Sequence, residues 1–181
     1  MRRSAEDAIL ALRTQITDWA TGAAKPDLRI LAYPPESEPD MLRRIRILAE
    51  DLAADGRAID LVDAGELLLK AVSVRPGLRE RLEEVDRRDP KAAYGDLSVI
   101  ARNAIERLLR APLAPAVVAR VVVNTGALAT LVSYSQITSD LFGTDSALGG
   151  ATVLAFPGDA DERSLNLLHL RVDTAYRAPR I

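Results

Sequence analysis

The stretch that most constrains the fold is residues 116–126, which read AVVARVVVNTG. Its valines do not alternate with polar residues, which is typical of a strand buried on both faces of a sheet. The run ends at Asn124-Thr125-Gly126, and the apolar spacing after it predicts a helix. A buried strand that leads through a turn into a helix is the repeating unit of an α/β domain, so the sequence predicts that fold class.

Three further apolar segments predict strands, at residues 28–33, 58–62 and 151–156. Helical patterns separate them, so successive strands should be parallel and joined by crossovers. We expect a three-layer α/β domain with a mostly parallel central sheet of about four strands. Its topology should be P-loop-NTPase-like or Rossmann-like, without a Walker A motif. We expect the spatial order 58–62, 28–33, 117–123, 151–156, in which the first and third strands of the chain are neighbours.

The 181 residues predict a single domain, since domains commonly run ~100–150 residues. Residues 1–22 should form an N-terminal helix, with Ser4 as its N-cap and Asp7 as a capping-box partner. Asp63, after the second predicted strand, can cap the helix that follows it. Residues 75–115 should form a helical insertion within the domain. The charge-rich part of that insertion, residues 75–96, predicts a short solvated helix and then a loop.

Composition excludes several classes of protein. The chain contains no cysteine, which removes disulfides, thiolate metal sites and cysteine nucleophiles. A net charge of −2 provides no global basic field that would attract nucleic acid. The sequence shows neither a signal-peptide pattern nor an apolar run of ~20 residues. We therefore expect a cytoplasmic protein that contacts neither a membrane nor nucleic acid directly.

The motifs of phosphate binding and of hydrolysis are missing. The sequence contains no G-x-x-x-x-G-K-[ST], no G-x-G-x-x-G and no G-x-S-x-G. Pro34 and Pro35 occupy the turn after the first strand, where each removes an N–H that could bind phosphate. The single histidine, His169, lies among leucines and is more typical of a structural or surface residue than of a general base. We expect no catalytic residue and no cofactor.

One acidic segment leaves a metal site open as an alternative. Asp159, Asp161 and Glu162 follow the last predicted strand and could bind Mg²⁺ or Ca²⁺ through their carboxylates. They lack the spacing of an EF-hand loop, and an ordinary polar loop explains them better. We expect no bound metal.

The turns after parallel strands meet at the carboxyl edge of the sheet, where ligands gather in α/β proteins. In the expected strand order, the turn after the first strand faces the turn after the third, and the turn after the fourth lies beside them. Gly126 should permit a positive φ or a close backbone approach. These turns are either a binding site or simply good turn sequences. The candidate residues are Tyr33, Pro34, Pro35, Glu36, Asn124, Thr125, Gly126, Pro157, Gly158 and Asp159.

Five short motifs, in this order along the chain, resemble the BrxB family of bacterial BREX phage-defence systems. They are YPPE, a hydrophobic strand ending in TG, FPG, SLNLL and a closing AYRAPRI. The similarity spans roughly residues 28–181, with no motif in residues 75–115. The resemblance implies that the chain is a divergent member or a close relative of this family.

The resemblance implies a non-catalytic component of an antiviral defence complex that acts by protein–protein interaction. It implies partners among the other defence proteins, foremost a PglZ-like protein of the alkaline-phosphatase superfamily. Tyr176, Arg177 and Arg180 in the tail are candidate anchors, because Tyr and Arg are frequent in interface hot spots. The alternative function is a nucleotide-binding or hydrolysing enzyme on a degenerate P-loop-like fold.

Overall fold

The computed structural model describes residues 4–134, 136–137, 148–160, 165–167 and 170–172. The helices are α1 (Ala5–Thr21), α2 (Glu38–Ala54), α3 (Ala64–Ser73), α4 (Leu78–Arg88) and α5 (Pro90–Arg110). The strands are β1 (Leu28–Tyr33), β2 (Ala58–Asp63), β3 (Val117–Val123), β4 (Thr152–Ala160), β5 (Leu165–Leu167) and β6 (Leu170–Val172). Two 3₁₀ helices follow β1 and β3, at Pro35–Ser37 and Thr125–Leu128. Among these helices, none combines the length and the apolar character needed to cross a membrane.

Four strands form a parallel sheet in the order β2-β3-β4-β1. β4 lies between β3 and β1, since Leu154 pairs with Val122 on one side and with Ile30 on the other. The predicted α/β class and its parallel sheet are therefore confirmed. The expected strand order is wrong, because β1 neighbours β4 and not β3. β5 and β6 extend the end of β4 as antiparallel strands.

Helices cover both faces of the sheet and make three layers. On one face, Ile16 of α1 and Ile45 of α2 belong to one buried cluster with Val121 of β3. On the other face, Ile105 of α5 packs in a second cluster that contains Val122. Adjacent valines of β3 thus pack against helices on opposite faces of the sheet, which explains why apolar residues follow one another in that strand.

The helix-start signals in the sequence are confirmed. The N–H of Asp7 donates to the Ser4 hydroxyl at 3.1 Å, and the Ser4 N–H donates back to the Asp7 carboxylate at 3.3 Å. Asp63, at the end of β2, accepts hydrogen bonds from the N–H groups of Gly65 and Glu66 and caps α3. These contacts satisfy N–H groups that have no partner inside the helix.

Two helical predictions are wrong. α5 begins at Pro90, although the sequence predicts a loop up to residue 96. Asp89 caps it by accepting from the N–H groups of Lys91 and Ala92, and a proline is tolerated in the first turn of a helix. Between β3 and Ser133 the chain forms the short 3₁₀ helix Thr125–Leu128 and a turn in place of the predicted helix, and Tyr134, Gln136 and Ile137 beyond them are helical.

β4 continues through Pro157, where the sequence predicts that the strand stops. The N–H of Thr152 donates to the carbonyl of Asp27 on the β1 side at 2.9 Å. Because successive N–H groups point to alternate sides, the nitrogen of Pro157 points toward the β3 side. The pairing with β3 has already ended at Leu154, so the missing N–H of Pro157 costs no ladder hydrogen bond.

Candidate functional site

Two separate pairs of polar side chains lie at the carboxyl edge of the sheet. Asn124 directly follows β3, and its Nδ2 lies 3.3 Å from both carboxylate oxygens of Asp63 at the end of β2. The hydroxyl of Tyr33, the last residue of β1, donates a hydrogen bond to Oε1 of Glu38 at 3.3 Å. Glu38 is the first residue of α2, and the negative charge of Asp63 acts on its carboxyl group. We call Tyr33, Glu38, Asp63 and Asn124 the edge cluster.

The edge cluster contains two carboxyl groups, those of Glu38 and Asp63. Burial raises the pKa of the Glu38 carboxyl above its usual range, the hydrogen bond from Tyr33 lowers this pKa in part, and the charge of Asp63 raises it further. Burial also raises the pKa of the Tyr33 phenol, and Glu38 adds to that rise, so the phenol stays neutral. Carboxyl groups at this edge disfavour the binding of a further anion such as phosphate.

Asn124 adopts the left-handed conformation, with φ 54° and ψ 33°. It is the one non-glycine residue with a positive φ in the described ranges, and asparagine tolerates this region better than most residues. The positive φ that the sequence suggests for Gly126 therefore occurs two residues earlier. A Cβ on Gly65 would lie 3.2 Å from Oδ1 of Asp63 and 3.4 Å from Nδ2 of Asn124, so this glycine leaves room for the contact between the two strand ends.

Thr125 is completely buried and joins the turn after β3 to β4. Its hydroxyl donates to the carbonyl of Ala155 at 2.6 Å, and its own carbonyl accepts from the Tyr134 hydroxyl at 3.1 Å. The Tyr134 ring meets Phe156 edge to face, with 4.7 Å between ring centroids. The hydroxyl and the carbonyl of Thr125 thus both have partners inside the protein.

The structure does not bring the predicted turns face to face. The turn from Tyr33 to Glu36 is separated from Asn124 by β4, because Tyr33 pairs with Pro157. The Glu36 side chain is exposed, whereas Pro34 and Pro35 are half-buried at the start of the 3₁₀ helix. The backbones of Gly158 and Asp159 pair with β5. Outside the described residues lie Tyr176, Arg177, Arg180, His169, Asp161 and Glu162.

Sequence reasoning missed two members of the edge cluster. Asp63 is predicted only as a helix cap, yet the same carboxylate also accepts from Asn124. Glu38 follows the prolines, and only the path of α2 across the sheet brings it near Asp63. Across the described ranges, no group of three or more histidine, aspartate or glutamate side chains could hold a metal ion.

One buried arginine ties the opposite end of the sheet to α5. Nε of Arg120 donates to the Asp60 carboxylate at 2.8 Å, and Nη1 donates to the carbonyls of Leu108 and Ala111. The side chain is nearly fully buried and its Nε and Nη1 donors have partners, so this contact has a structural role.

Comparisons with models of known protein families, with curated proteins and with solved structures found no match for this chain.

Proposed function

We propose that this protein is a non-catalytic, cytoplasmic component of a BREX-type phage-defence complex and acts by protein–protein interaction. Its partner in this proposal is a PglZ-like protein of the alkaline-phosphatase superfamily. The five ordered motifs and their resemblance to BrxB proteins support this assignment.

The observation that carries the proposal is how the motif residues at the sheet edge use their polar groups. Thr125 makes two internal hydrogen bonds, Asn124 contacts Asp63, and Tyr33 contacts Glu38. Side chains in such contacts hold turns and strand ends in place. This use supports a fold-organising role for the motifs in an interaction protein.

The alternative, a nucleotide-binding or hydrolysing enzyme, fits the edge less well. A phosphate group there would meet the carboxyl groups of Glu38 and Asp63, and Pro34 and Pro35 provide no N–H to hold it. Calorimetry with ATP, GTP and dinucleotides, with and without Mg²⁺, separates the two functions. We expect no binding, and binding that Asn124→Ala abolishes would favour the enzyme.

Purification of the tagged protein from cells that express its native gene cluster tests the proposal. We expect a PglZ-like protein to co-purify in stoichiometric amount, and an unrelated cytoplasmic protein with the same tag should not retain it. If no protein from the neighbouring defence genes associates stably, the proposed function is wrong.

A further inference from the structure

A groove of about 450 Å³ lies between α3 and α5 on the outer side of the domain. One stripe of each helix forms its walls, with residues spaced three or four apart, so both stripes face the groove. The apolar part of the lining includes Leu67, Ala71, Val74, Val99, Ile100 and Ala104.

The apolar rim of the groove is open to water. Val74 on the α3 side is 71% exposed and Val99 on α5 is 60% exposed. Contiguous apolar surface of this kind marks an interaction site in soluble proteins more often than isolated exposed residues do.

Three cationic residues also line the groove, namely Lys70, Arg75 and Arg107. None of the three forms an ion pair with another residue in the part of the chain that the structure describes, and no acidic residue lines the groove. By contrast, arginines nearby on the outer helix surfaces are paired, such as Arg79 with Glu83 and Arg88 with Glu84. The groove therefore combines apolar lining residues with three cations that form no ion pair in the described part of the chain.

We propose that this groove docks an acidic amphipathic helix of a partner protein. Helices with one apolar face bind grooves of this kind through residues at i, i+3, i+4 and i+7, and acidic side chains beside that face would pair with the three cations. The lining of α5 between Val99 and Ala111 runs for about 18 Å, since a helix rises 1.5 Å per residue, and it accommodates about three turns of a docked helix. The inference rests on this groove alone and does not depend on the complex that the protein joins.

Selection from a displayed library of helix-forming peptides, each about 15 residues long, tests the inference with the full-length protein as bait. The library varies apolar, acidic and basic residues equally. We expect the enriched peptides to be net acidic with one apolar stripe, and their affinity, measured by fluorescence anisotropy, to fall as salt rises.

Variants locate the binding site. Val99→Asp and Arg107→Glu should each weaken the selected peptides by roughly tenfold or more. The matched controls lie on α2, on the other side of the sheet: Ile47→Asp and Arg46→Glu change an exposed isoleucine and an exposed arginine and should leave affinity unchanged. A peptide with its acidic residues replaced by lysine should bind Arg107→Glu better than it binds the wild type, which a misfolded variant would not show.

Three outcomes would overturn the inference. The selected peptides could be basic or neutral, or their binding could be equally sensitive to the α2 controls. Sedimentation could instead reveal a dimer of the chain that Val99→Asp dissociates, in which case the occupant is a second copy. Failure of co-purification from the native cluster, with the peptide results intact, would refute the defence assignment and leave the groove inference standing.

Discussion

The hydroxyl of Thr125 donates a 2.6 Å hydrogen bond to the backbone carbonyl of Ala155. That carbonyl points toward the β3 side of β4, one residue beyond the last pair between the two strands. The Thr125 side chain thus continues the hydrogen bonding between the two strands beyond their last backbone pair. The TG motif therefore links the end of β3 to β4.

Thr125→Val removes this hydrogen bond but keeps the shape of the side chain. We expect a loss of ~1–3 kcal/mol in the free energy of unfolding, because a buried carbonyl loses its donor. Thr125→Ser keeps the hydroxyl and should lose less. Urea denaturation measures both variants, and equal stability of the valine variant and the wild type would contradict the assigned role.

Glu38 should make stability depend on pH. Its carboxyl pKa is raised in the folded state, so between the unfolded value of about 4.3 and the folded value the folded protein holds more protons. The free energy of unfolding therefore falls as pH rises through this window. Glu38→Gln keeps an acceptor for the Tyr33 hydroxyl and removes the titration.

Melting temperatures of Glu38→Gln and wild type should therefore nearly agree at about pH 4 and diverge toward about pH 7, with the glutamine variant the more stable. Tyr33→Phe removes a hydrogen bond that lowers the Glu38 pKa. The loss of stability between about pH 4 and about pH 7 should therefore be larger in Tyr33→Phe than in the wild type. An unchanged difference between Glu38→Gln and wild type across this range would refute the prediction.

Two glycine-to-alanine substitutions should have opposite effects. A Cβ on Gly149 would lie 2.0 Å from the carbonyl oxygen of Ala111, so Gly149→Ala forces the backbone apart and should cost ~1–3 kcal/mol. Gly95 lies inside α5 with open space around its Cβ position. Gly95→Ala should stabilise the protein by ~0.5–1 kcal/mol, because alanine favours the helix. Thermal unfolding compares the two, and a shift of the same sign in both would contradict the packing at Gly149.

Arg120→Met should destabilise the protein by ~1–3 kcal/mol, since it leaves the carbonyls of Leu108 and Ala111 without this donor. Asp60→Asn, at a partly exposed residue, should cost less than the arginine change, because water can replace part of its contact. Chemical denaturation ranks the two variants, and the reverse ranking would show that the carbonyl contacts matter less than the ion pair.

Local features of the fold were predictable from the sequence, and long-range ones were not. β1 and β3 have the predicted bounds, and the caps at Ser4 and Asp63 are confirmed, because short apolar runs and capping residues act within a few positions. The strand order depends on which face each crossover takes, and adjacent residues do not encode that choice. Pro157 stays in β4 only because β3 has ended, which again is a fact about a distant strand.

The candidate site shows the same division. Asn124 and Tyr33 were predicted at the sheet edge and lie there, since both directly follow or end a predicted strand. Glu38 was missed because its closeness to Asp63 depends on the path of α2 across the sheet. The groove between α3 and α5 was missed because it forms only where these two helices, separated in sequence by α4, lie side by side.

The central claim is that the protein functions by binding a PglZ-like defence protein. The most direct test is light scattering during size-exclusion chromatography of this chain mixed with the purified PglZ-like protein from the same gene cluster. We predict one peak that contains both chains, with a mass equal to their sum in a fixed ratio. Two separate peaks at the masses of the free proteins, at concentrations well above the micromolar range, would contradict the claim.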